Sequence, residues 1–326
     1  MKRVEITGVG AYLPKKVLTN ADLEKMVDTS DEWIVSRTGI KQRRLAAKNE
    51  LTSDMAAKAA RQALASAALR PLDLGLIIVA TITPDMPFPS VACILQQKLG
   101  AKNAVCFDIS AACAGFVYGL VVAQQFIARG TYKNALVMGA EVLSSVTDYK
   151  DRNTCVLFGD GAGAAVLSET KTSRGIISTY LGSDGSMVDL LMLPAGGSKN
   201  PASNKTLKGR MHYIKMQGNE LFKIAVRSMV EAAQKALALA GLEPEDVDCF
   251  IPHQANIRIL LAVAKRLGIE EKKIYLNIER YGNMSSASTA VALSEAVKEG
   301  RIKKGDIVLL DAFGAGLVSG ACVIKW

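Results

Sequence analysis

Three residues that lie far apart in the chain carry side chains suited to acyl-transfer chemistry. Cys113 follows an apolar run that predicts a buried strand and precedes a helical pattern over residues 116–128. This places the thiol at a helix N-terminus, where free backbone N–H groups and the helix dipole favour a thiolate. His253 stands where another apolar strand ends, and Asn283 lies in a Gly-Asn sequence. A nucleophile, an imidazole and an amide at such positions indicate acyl transfer through a thioester on Cys113.

The composition predicts a folded protein with a large core. The chain has 326 residues, of which 49% are hydrophobic, and its mean hydropathy is +0.18. No apolar run is long enough to cross a bilayer and the N-terminus lacks a signal-peptide pattern, so we expect a cytoplasmic protein without membrane insertion. The six cysteines form no CxxC pair, which argues against a zinc site and a disulfide framework.

The formal charge of +9 is compatible with nucleic acid, an acidic membrane surface or an acidic protein as partner. The basic residues are spread as ordinary helix-surface patterns and are not interleaved with aromatic residues. Nucleic acid is therefore not expected as a partner. Charge alone does not choose between the other two.

The sequence contains an internal repeat. A helical pattern leads to Pro71 and then to an apolar strand, and the same succession recurs at Pro244, 173 positions later. Cys113 and Asn283 each lie 17 residues before a glycine that ends a helical pattern and leads into a further strand. The repeat therefore predicts that Cys113 and Asn283 face each other at the starts of equivalent helices.

Strands that alternate with helices in two corresponding halves predict an α/β protein built by duplication, with mostly parallel sheets. We place the halves at residues 1–170 and 171–326. Residues 189–213 are rich in Gly, Pro, Ser, Asn and Lys and are predicted to form a loop that joins the halves. The glycine-rich run 158–163 lacks the Lys-Ser/Thr ending of a P-loop, so it indicates tight backbone packing.

Six sequence motifs, in this order along the chain, resemble those of the β-ketoacyl-acyl carrier protein synthase III family. They are Asp31–Gly39, Ala111–Phe116, Phe158–Gly163, Pro252–Asn256, Gly282–Ser288 and Ala312–Gly316. The resemblance covers essentially the whole chain. It implies the thiolase-like fold, in which two pseudo-symmetric βαβαβαββ halves form a layered αβαβα core.

The resemblance also implies an activity, the first condensation of type II fatty acid synthesis. Cys113 would carry the acyl group of an acyl-coenzyme A (CoA) primer, and His253 and Asn283 would act on malonyl-acyl carrier protein. The backbone N–H groups of Cys113 and Ala315 would form the oxyanion hole, although the family usually has glycine at the second position. The implied substrates are acyl-CoA and malonyl-acyl carrier protein, with no cofactor and no metal.

Binding residues follow from the same resemblance. Those implied to bind CoA are Thr29, Trp33, Arg37, Arg152, Gly218, Phe222 and Asn256. Phe88 and Phe158 are implied to shape the acyl pocket, and Phe88 does so across the interface of a homodimer. The residues implied to bind the acyl carrier protein are Lys223, Arg258, Lys265 and Arg266. An acidic protein partner would account for the positive net charge of the chain.

Other functions remain open at this stage. A cysteine protease also uses Cys, His and Asn in this order, but its Gly-Ser-Cys-Trp signature is missing around Cys113. A related CoA-dependent acyltransferase, or a condensing enzyme of secondary metabolism, would share the fold and most of the motifs. A non-enzymatic carrier-binding or nucleic-acid-binding protein would tolerate loss of the Cys113 thiol. The motifs do not choose between acetyl, branched and longer primers.

Overall fold

The computed structural model describes residues 2–326. Its strands are β1 (Arg3–Tyr12), β2 (Lys16–Thr19), β3 (Gln42–Leu45), β4 (Leu76–Ala80), β5 (Val105–Ile109), β6 (Asn134–Val142), β7 (Asp160–Thr170), β8 (Gly175–Ser183), β9 (Leu191–Met192), β10 (Lys215–Met216), β11 (Cys249–Pro252), β12 (Ile307–Gly314) and β13 (Val318–Lys325). Its helices are α1 (Asn20–Glu24), α2 (Asp31–Thr38), α3 (Thr52–Ser66), α4 (Val91–Leu99), α5 (Gly115–Ala128), α6 (Arg152–Cys155), α7 (Asn204–Lys208), α8 (Gly218–Ala240), α9 (Ile257–Leu267), α10 (Ile278–Tyr281) and α11 (Ser286–Lys298).

Two sheets and three helical layers make up the core. The first half forms a five-stranded sheet in the order β1-β7-β6-β4-β5, and the second half forms a four-stranded sheet in the order β11-β12-β13-β8. Helices α5 and α11 pack between the two sheets. Helices α3 and α4 cover the outer face of the first sheet, and α8 and α9 cover that of the second. This layering confirms the predicted αβαβα core.

The prediction of mostly parallel sheets is wrong. Of the seven neighbouring strand pairs in the two large sheets, three are parallel and four are antiparallel. The turn from β12 to β13 is too short for a crossover, so these strands pair antiparallel. The strand before Cys113 also differs from expectation. It is an edge strand, β5, and half of the surface of Val105 is exposed.

The duplication is confirmed in local detail. Helix α3 is followed by a 3₁₀ turn at Pro71–Asp73, and α8 by one at Pro244–Asp246. In each turn the aspartate side chain accepts a hydrogen bond from the backbone N–H three residues earlier, at 3.0 Å for Asp73 and 2.9 Å for Asp246. Two copies of the same capping arrangement at the same place in both halves follow from the repeat.

Residues 189–213 do not join the halves as predicted. The short link 171–174 between β7 and β8 does so, and residues 189–213 interrupt the second half between β8 and α8. We call residues 189–216 the flap. This segment contains α7 and the β9–β10 pair, and it lines one side of the cavity described below. No helix in residues 2–326 combines the length and hydropathy that a membrane crossing needs.

Small residues let helix α11 lie directly on the first sheet. A Cβ atom at Gly163 in β7 would come within 2.5 Å of Ala290 Cβ and 2.6 Å of the Val291 backbone nitrogen. Only glycine leaves room for this approach. The interpretation of the glycine-rich run as tight packing is therefore confirmed.

We expect Gly163→Ala to lower the free energy of unfolding by about 1–3 kcal/mol, because the new methyl group overlaps helix backbone that is held on both sides. Urea denaturation measures the change. Gly185→Ala is the matched control, since a Cβ at that position meets no atom within 4 Å. Equal stabilities of the two variants would show that α11 can move away from the sheet.

Candidate active site

One cavity of about 1230 Å³ brings the three candidate catalytic residues together. Cys113 comes from the first half of the chain, and His253 and Asn283 come from the second. The ends of strands and the starts of helices from both halves meet here, which is where α/β folds bind ligands. The cavity is lined mainly by apolar side chains.

Cys113 lies in a 3₁₀ turn, Ala112–Ala114, between β5 and α5. Its neighbour Ala112 has φ +41°, an uncommon value for a residue other than glycine. A Cβ built on Gly115 would lie 3.5 Å from Ser286 Cβ, so the first residues of α5 and α11 are adjacent. The prediction that the starts of equivalent helices meet is confirmed.

Burial raises the pKa of Cys113 from its ordinary value of 9.0 to about 12, against a smaller opposing effect of the Ser285 hydroxyl. A helix dipole contributes about 1 kcal/mol, or less than one pKa unit. It therefore does not compensate for burial. The expected thiolate is therefore wrong, because Cys113 with this pKa is a neutral thiol at physiological pH.

His253 follows β11 and is 2% exposed. Its backbone N–H donates to the carbonyl of Asp311 in the adjacent strand β12, at 2.7 Å, which holds the residue at the sheet edge. Burial lowers the pKa of the imidazole to about 3. The ring is therefore neutral at physiological pH, and one ring nitrogen can donate a hydrogen bond to substrate.

Asn283 is fixed by backbone and side-chain hydrogen bonds. Its backbone N–H donates to the Leu157 carbonyl at 2.9 Å, and its carbonyl accepts from the Gly159 N–H at 2.9 Å. Its side-chain Oδ1 accepts from the Ser285 N–H at 2.8 Å. Because the oxygen is occupied, the amide nitrogen Nδ2 is the group that remains to donate into the cavity.

The turn after β12 lies against the Cys113 backbone. A Cβ on Gly314 would be 2.6 Å from the Cys113 nitrogen, so a side chain there would push the turn away. Ala315 lines the cavity, and its φ angle is not in the positive range. Alanine therefore adopts an ordinary backbone conformation here and keeps its N–H group.

Sequence reasoning missed a buried glutamate beside this site. Glu141 is fully buried and accepts hydrogen bonds from Thr81 Oγ1 at 3.1 Å, Thr83 Oγ1 at 2.6 Å and Ser286 Oγ at 3.0 Å. Burial raises its pKa, and the hydrogen bonds, most strongly that from Thr83, act in the opposite direction. The glutamate joins the end of β4 to the first residue of α11. A charged residue at the end of the apolar run 135–140 was the available signal.

Comparisons with known proteins agree with this geometry. The family models described as 3-oxoacyl-[acyl-carrier-protein (ACP)] synthase III and its C-terminal part match residues 107–185 and 237–326. A protein of Caldanaerobacter subterraneus named beta-ketoacyl-[acyl-carrier-protein] synthase III is 57% identical over 98% of this chain and 97% of its own length. The chain belongs to the synthase III family.

Solved structures of the synthase III family have the same fold. The 3-oxoacyl-[acyl-carrier-protein] synthase III of Aquifex aeolicus is 51% identical, with a TM-score of 0.92 over 99% of this chain and 100% of that chain. The priming β-ketosynthase of the R1128 polyketide pathway is 35% identical, with a TM-score of 0.93 over 99% and 97% of the two chains. Identities of 50–57% lie with proteins named beta-ketoacyl-[acyl-carrier-protein] synthase III, so the secondary-metabolism alternative is not favoured.

The binding residues implied by the synthase III resemblance fall into two groups. The following line the cavity: Trp33, Arg37, Phe158, Gly218, Phe222, Lys223, Asn256 and Arg258. The following lie outside its lining: Thr29, Phe88, Arg152, Lys265 and Arg266. Within residues 2–326, no group of three or more His, Cys, Asp or Glu residues is arranged to hold a metal ion.

Two contacts at the cavity mouth refine these assignments. The Arg152 guanidinium lies 4.2 Å from the centre of the Trp33 ring. Asn256 caps α9 through its Oδ1 and donates through Nδ2 to the Arg37 carbonyl at 2.9 Å. The side-chain amide of Asn256 therefore holds α2 against α9. CoA can bind this amide only by sharing it with these two hydrogen-bond partners.

Proposed function

We propose that this chain condenses an acyl-CoA primer with malonyl-acyl carrier protein by decarboxylation, giving β-ketoacyl-acyl carrier protein, CoA and CO₂. The observation that carries the proposal is the shared cavity of Cys113, His253 and Asn283. The family membership and the identity of 50–57% to proteins named beta-ketoacyl-[acyl-carrier-protein] synthase III support the same reaction. It is the initiating step of fatty acid synthesis.

In the first half-reaction, Cys113 attacks the thioester carbonyl of acyl-CoA. The N–H groups of Cys113 and Ala315 stabilise the developing oxyanion. The C–S bond to CoA then breaks, and the proton of the Cys113 thiol is transferred to the CoA sulfur. The acyl-CoA thioester and the Cys113 thiol are thereby converted into an acyl-Cys113 thioester and the CoA thiol. No external base is consumed, which agrees with a neutral Cys113 thiol.

In the second half-reaction, malonyl-acyl carrier protein loses CO₂ and leaves an enolate thioester. The neutral imidazole of His253 and the Nδ2 group of Asn283 donate hydrogen bonds to the enolate oxygen. Phe158 and Phe313 line the cavity, and both are at most 6% exposed. An apolar environment disfavours the carboxylate relative to CO₂. The enolate carbon attacks the acyl-Cys113 carbonyl, and the released thiolate takes up a proton.

The mouth of the cavity suits the nucleotide of CoA. Trp33 and Arg152 offer an aromatic face and a guanidinium face that can hold an adenine ring between them. Because these faces are in direct contact, Arg152 must move away from the indole before adenine can enter. Arg37, Gly218 and Phe222 continue the lining inward, while Thr29 stands just before α2.

Exposed basic residues near the mouth form the proposed docking site for acyl carrier protein. Lys223 and Arg258 line the cavity edge, and Lys265 and Arg266 lie in the last turn of α9. An acidic carrier protein would be attracted to this surface over a distance set by the salt concentration.

We also propose a cytoplasmic homodimer. Strand β5 is an open sheet edge, and Phe88 is 84% exposed in the single chain, so a second copy could cover both. The six cysteines of residues 2–326 are all free, as is typical of a reducing compartment. Sedimentation at a monomer mass would contradict the dimer.

A reconstituted reaction tests the proposed function. Purified protein, acetyl-CoA and malonyl-acyl carrier protein are expected to give β-ketoacyl-carrier protein, with one CO₂ and one free CoA for each product. Mass spectrometry of the protein with acetyl-CoA alone should show one acetyl group on the Cys113 peptide. Transfer of that group to an amine or alcohol without CO₂ release would indicate the acyltransferase alternative instead.

A further inference from the structure

One end of the cavity is closed by apolar side chains from two segments that are distant in sequence. Leu143 and Phe158 come from the segment 143–158, which we call the wall, and Ile214 comes from the flap. These three are at most 5% exposed and pack with Ile82, Val146, Leu157 and Leu191. We call this end the acyl end of the cavity. It offers only hydrocarbon surface, which suits the hydrocarbon chain of a primer.

An ion pair joins the flap to the wall. Arg210 of the flap donates from Nε to Asp148 Oδ2 at 2.8 Å, and its NH2 group donates to Oδ1. The carboxylate of Asp148 is 3% exposed and also accepts from the Lys150 N–H at 2.9 Å. The ammonium nitrogen Nζ of Lys215, also in the flap, lies 3.9 Å from Asp148 Oδ2. A bidentate arginine–carboxylate pair fixes both position and orientation.

Few other polar contacts connect these segments. In residues 2–326, the backbone hydrogen bond between them runs from the Ile214 N–H to the Val146 carbonyl, at 2.9 Å. Arg210 has φ +51°, which is unfavourable for a side chain of this size. The ion pair offsets that cost and keeps the flap against the wall. The pKa of Asp148 is lowered to about 2, chiefly by the hydrogen bond from Arg210, so the pair stays charged at assay pH.

We propose that the Asp148–Arg210 ion pair restricts the length of the acyl primer by holding the flap closed over the acyl end of the cavity. The proposal rests on the proposed function, because it names the primer as the group that fills this end. Asp148 and Arg210 act as positioning residues, since their effect reaches the primer through Leu191 and Ile214. Breaking the pair lets the flap move outward and makes room for longer chains.

The test compares primers in Asp148→Asn, which keeps the shape of the side chain but removes its charge. Loss of a charged hydrogen bond corresponds to about a tenfold change in the equilibrium between closed and open flap. We expect the ratio of kcat/KM for octanoyl-CoA to that for acetyl-CoA to rise about tenfold, mainly through KM. Arg210→Lys, which retains one donor, should lie between this variant and wild type.

A second measurement follows the flap directly. Trypsin needs an unfolded stretch of backbone, so it cleaves after Lys205 and Lys208 in helix α7 faster when the flap is released from the wall. We expect this cleavage to be about tenfold faster in Asp148→Asn. The matched control is Glu231→Gln, which breaks the exposed Glu231–Lys235 pair on α8, 2.7 Å long, and should change neither measurement.

The outcomes separate the two proposals. Unchanged primer ratio and cleavage rate in a folded Asp148→Asn protein would overturn the ion pair's role. If that variant fails to fold, Arg210→Met carries the test, because the substituted side chain is then 38% exposed, whereas that of Asp148 is 4% exposed. Failure of wild-type protein to accept any acyl-CoA would refute the proposed function, whereas the cleavage rates would still report on the flap.

Discussion

Cys113→Ser is expected to abolish acyl-enzyme formation, with a loss of at least about a thousandfold in the rate of condensation. A serine hydroxyl must lose a proton of much higher pKa than a thiol before it attacks. The nearby imidazole is a poor acceptor for that proton, because burial lowers the pKa of His253 to about 3. The effect is measured as the amount of radiolabel that the protein retains after incubation with radiolabelled acetyl-CoA.

The matched control is Cys93→Ser, which changes an exposed cysteine of α4 that lies outside the cavity lining. This variant should keep one acetyl group per chain. Label retained by Cys113→Ser, or found on another cysteine peptide, would contradict the assignment of the nucleophile. The serine variant should still release CO₂ from malonyl-acyl carrier protein, since His253 and Asn283 are unchanged.

The meeting of Cys113, His253 and Asn283 in one cavity could be predicted because their positions follow from local sequence. Cys113 and His253 each stand directly after an apolar strand, and the repeat relates Asn283 to Cys113. Strand ends and helix starts meet at one edge of such a fold. The fold class followed from the same alternation of strands and helices. None of these inferences required knowledge of which strands are neighbours.

Features that depend on strand order or on contacts between distant segments could not be predicted. The exposure of β5 follows from its place at the sheet edge, which the sequence pattern does not contain. Glu141 meets Ser286 only after both halves have packed together. The Asp148–Arg210 pair likewise joins residues 62 positions apart. Asp148 and Arg210 each resemble an ordinary surface residue in their local sequence.

The protonation state of Cys113 illustrates the same limit. Local sequence shows the helix start, whose dipole favours a thiolate, but it does not show how deeply the thiol is buried. Burial changes the pKa by more than the dipole does, and in the opposite direction. The sign of the shift therefore depends on the packing of both halves around the residue. The same packing makes His253 neutral, so burial prepares both groups for chemistry without ionic charge.

The second large effect concerns the other half-reaction. His253→Ala and Asn283→Ala should each still form acetyl-Cys113, because neither side chain is needed for thioester exchange. Each should lower the rate of CO₂ release from malonyl-acyl carrier protein about 10²–10³-fold, the cost of removing one donor from an oxyanion site. Asn219→Ala is the matched control, since Asn219 also lines the cavity but is exposed. CO₂ release at the wild-type rate in either catalytic variant would refute the assignment.

The pH dependence of decarboxylation gives an independent check on His253. A histidine with an ordinary pKa near 6.5 would gain charge between about pH 8 and pH 5.5, and the rate would change across that range. Because burial lowers the pKa of His253 to about 3, the imidazole stays neutral there and the rate should be flat. Measuring CO₂ release in Cys113→Ser removes the contribution of the thiol. A rate that titrates near pH 6.5 would show that His253 is solvated in the working enzyme and that its donor role depends on charge.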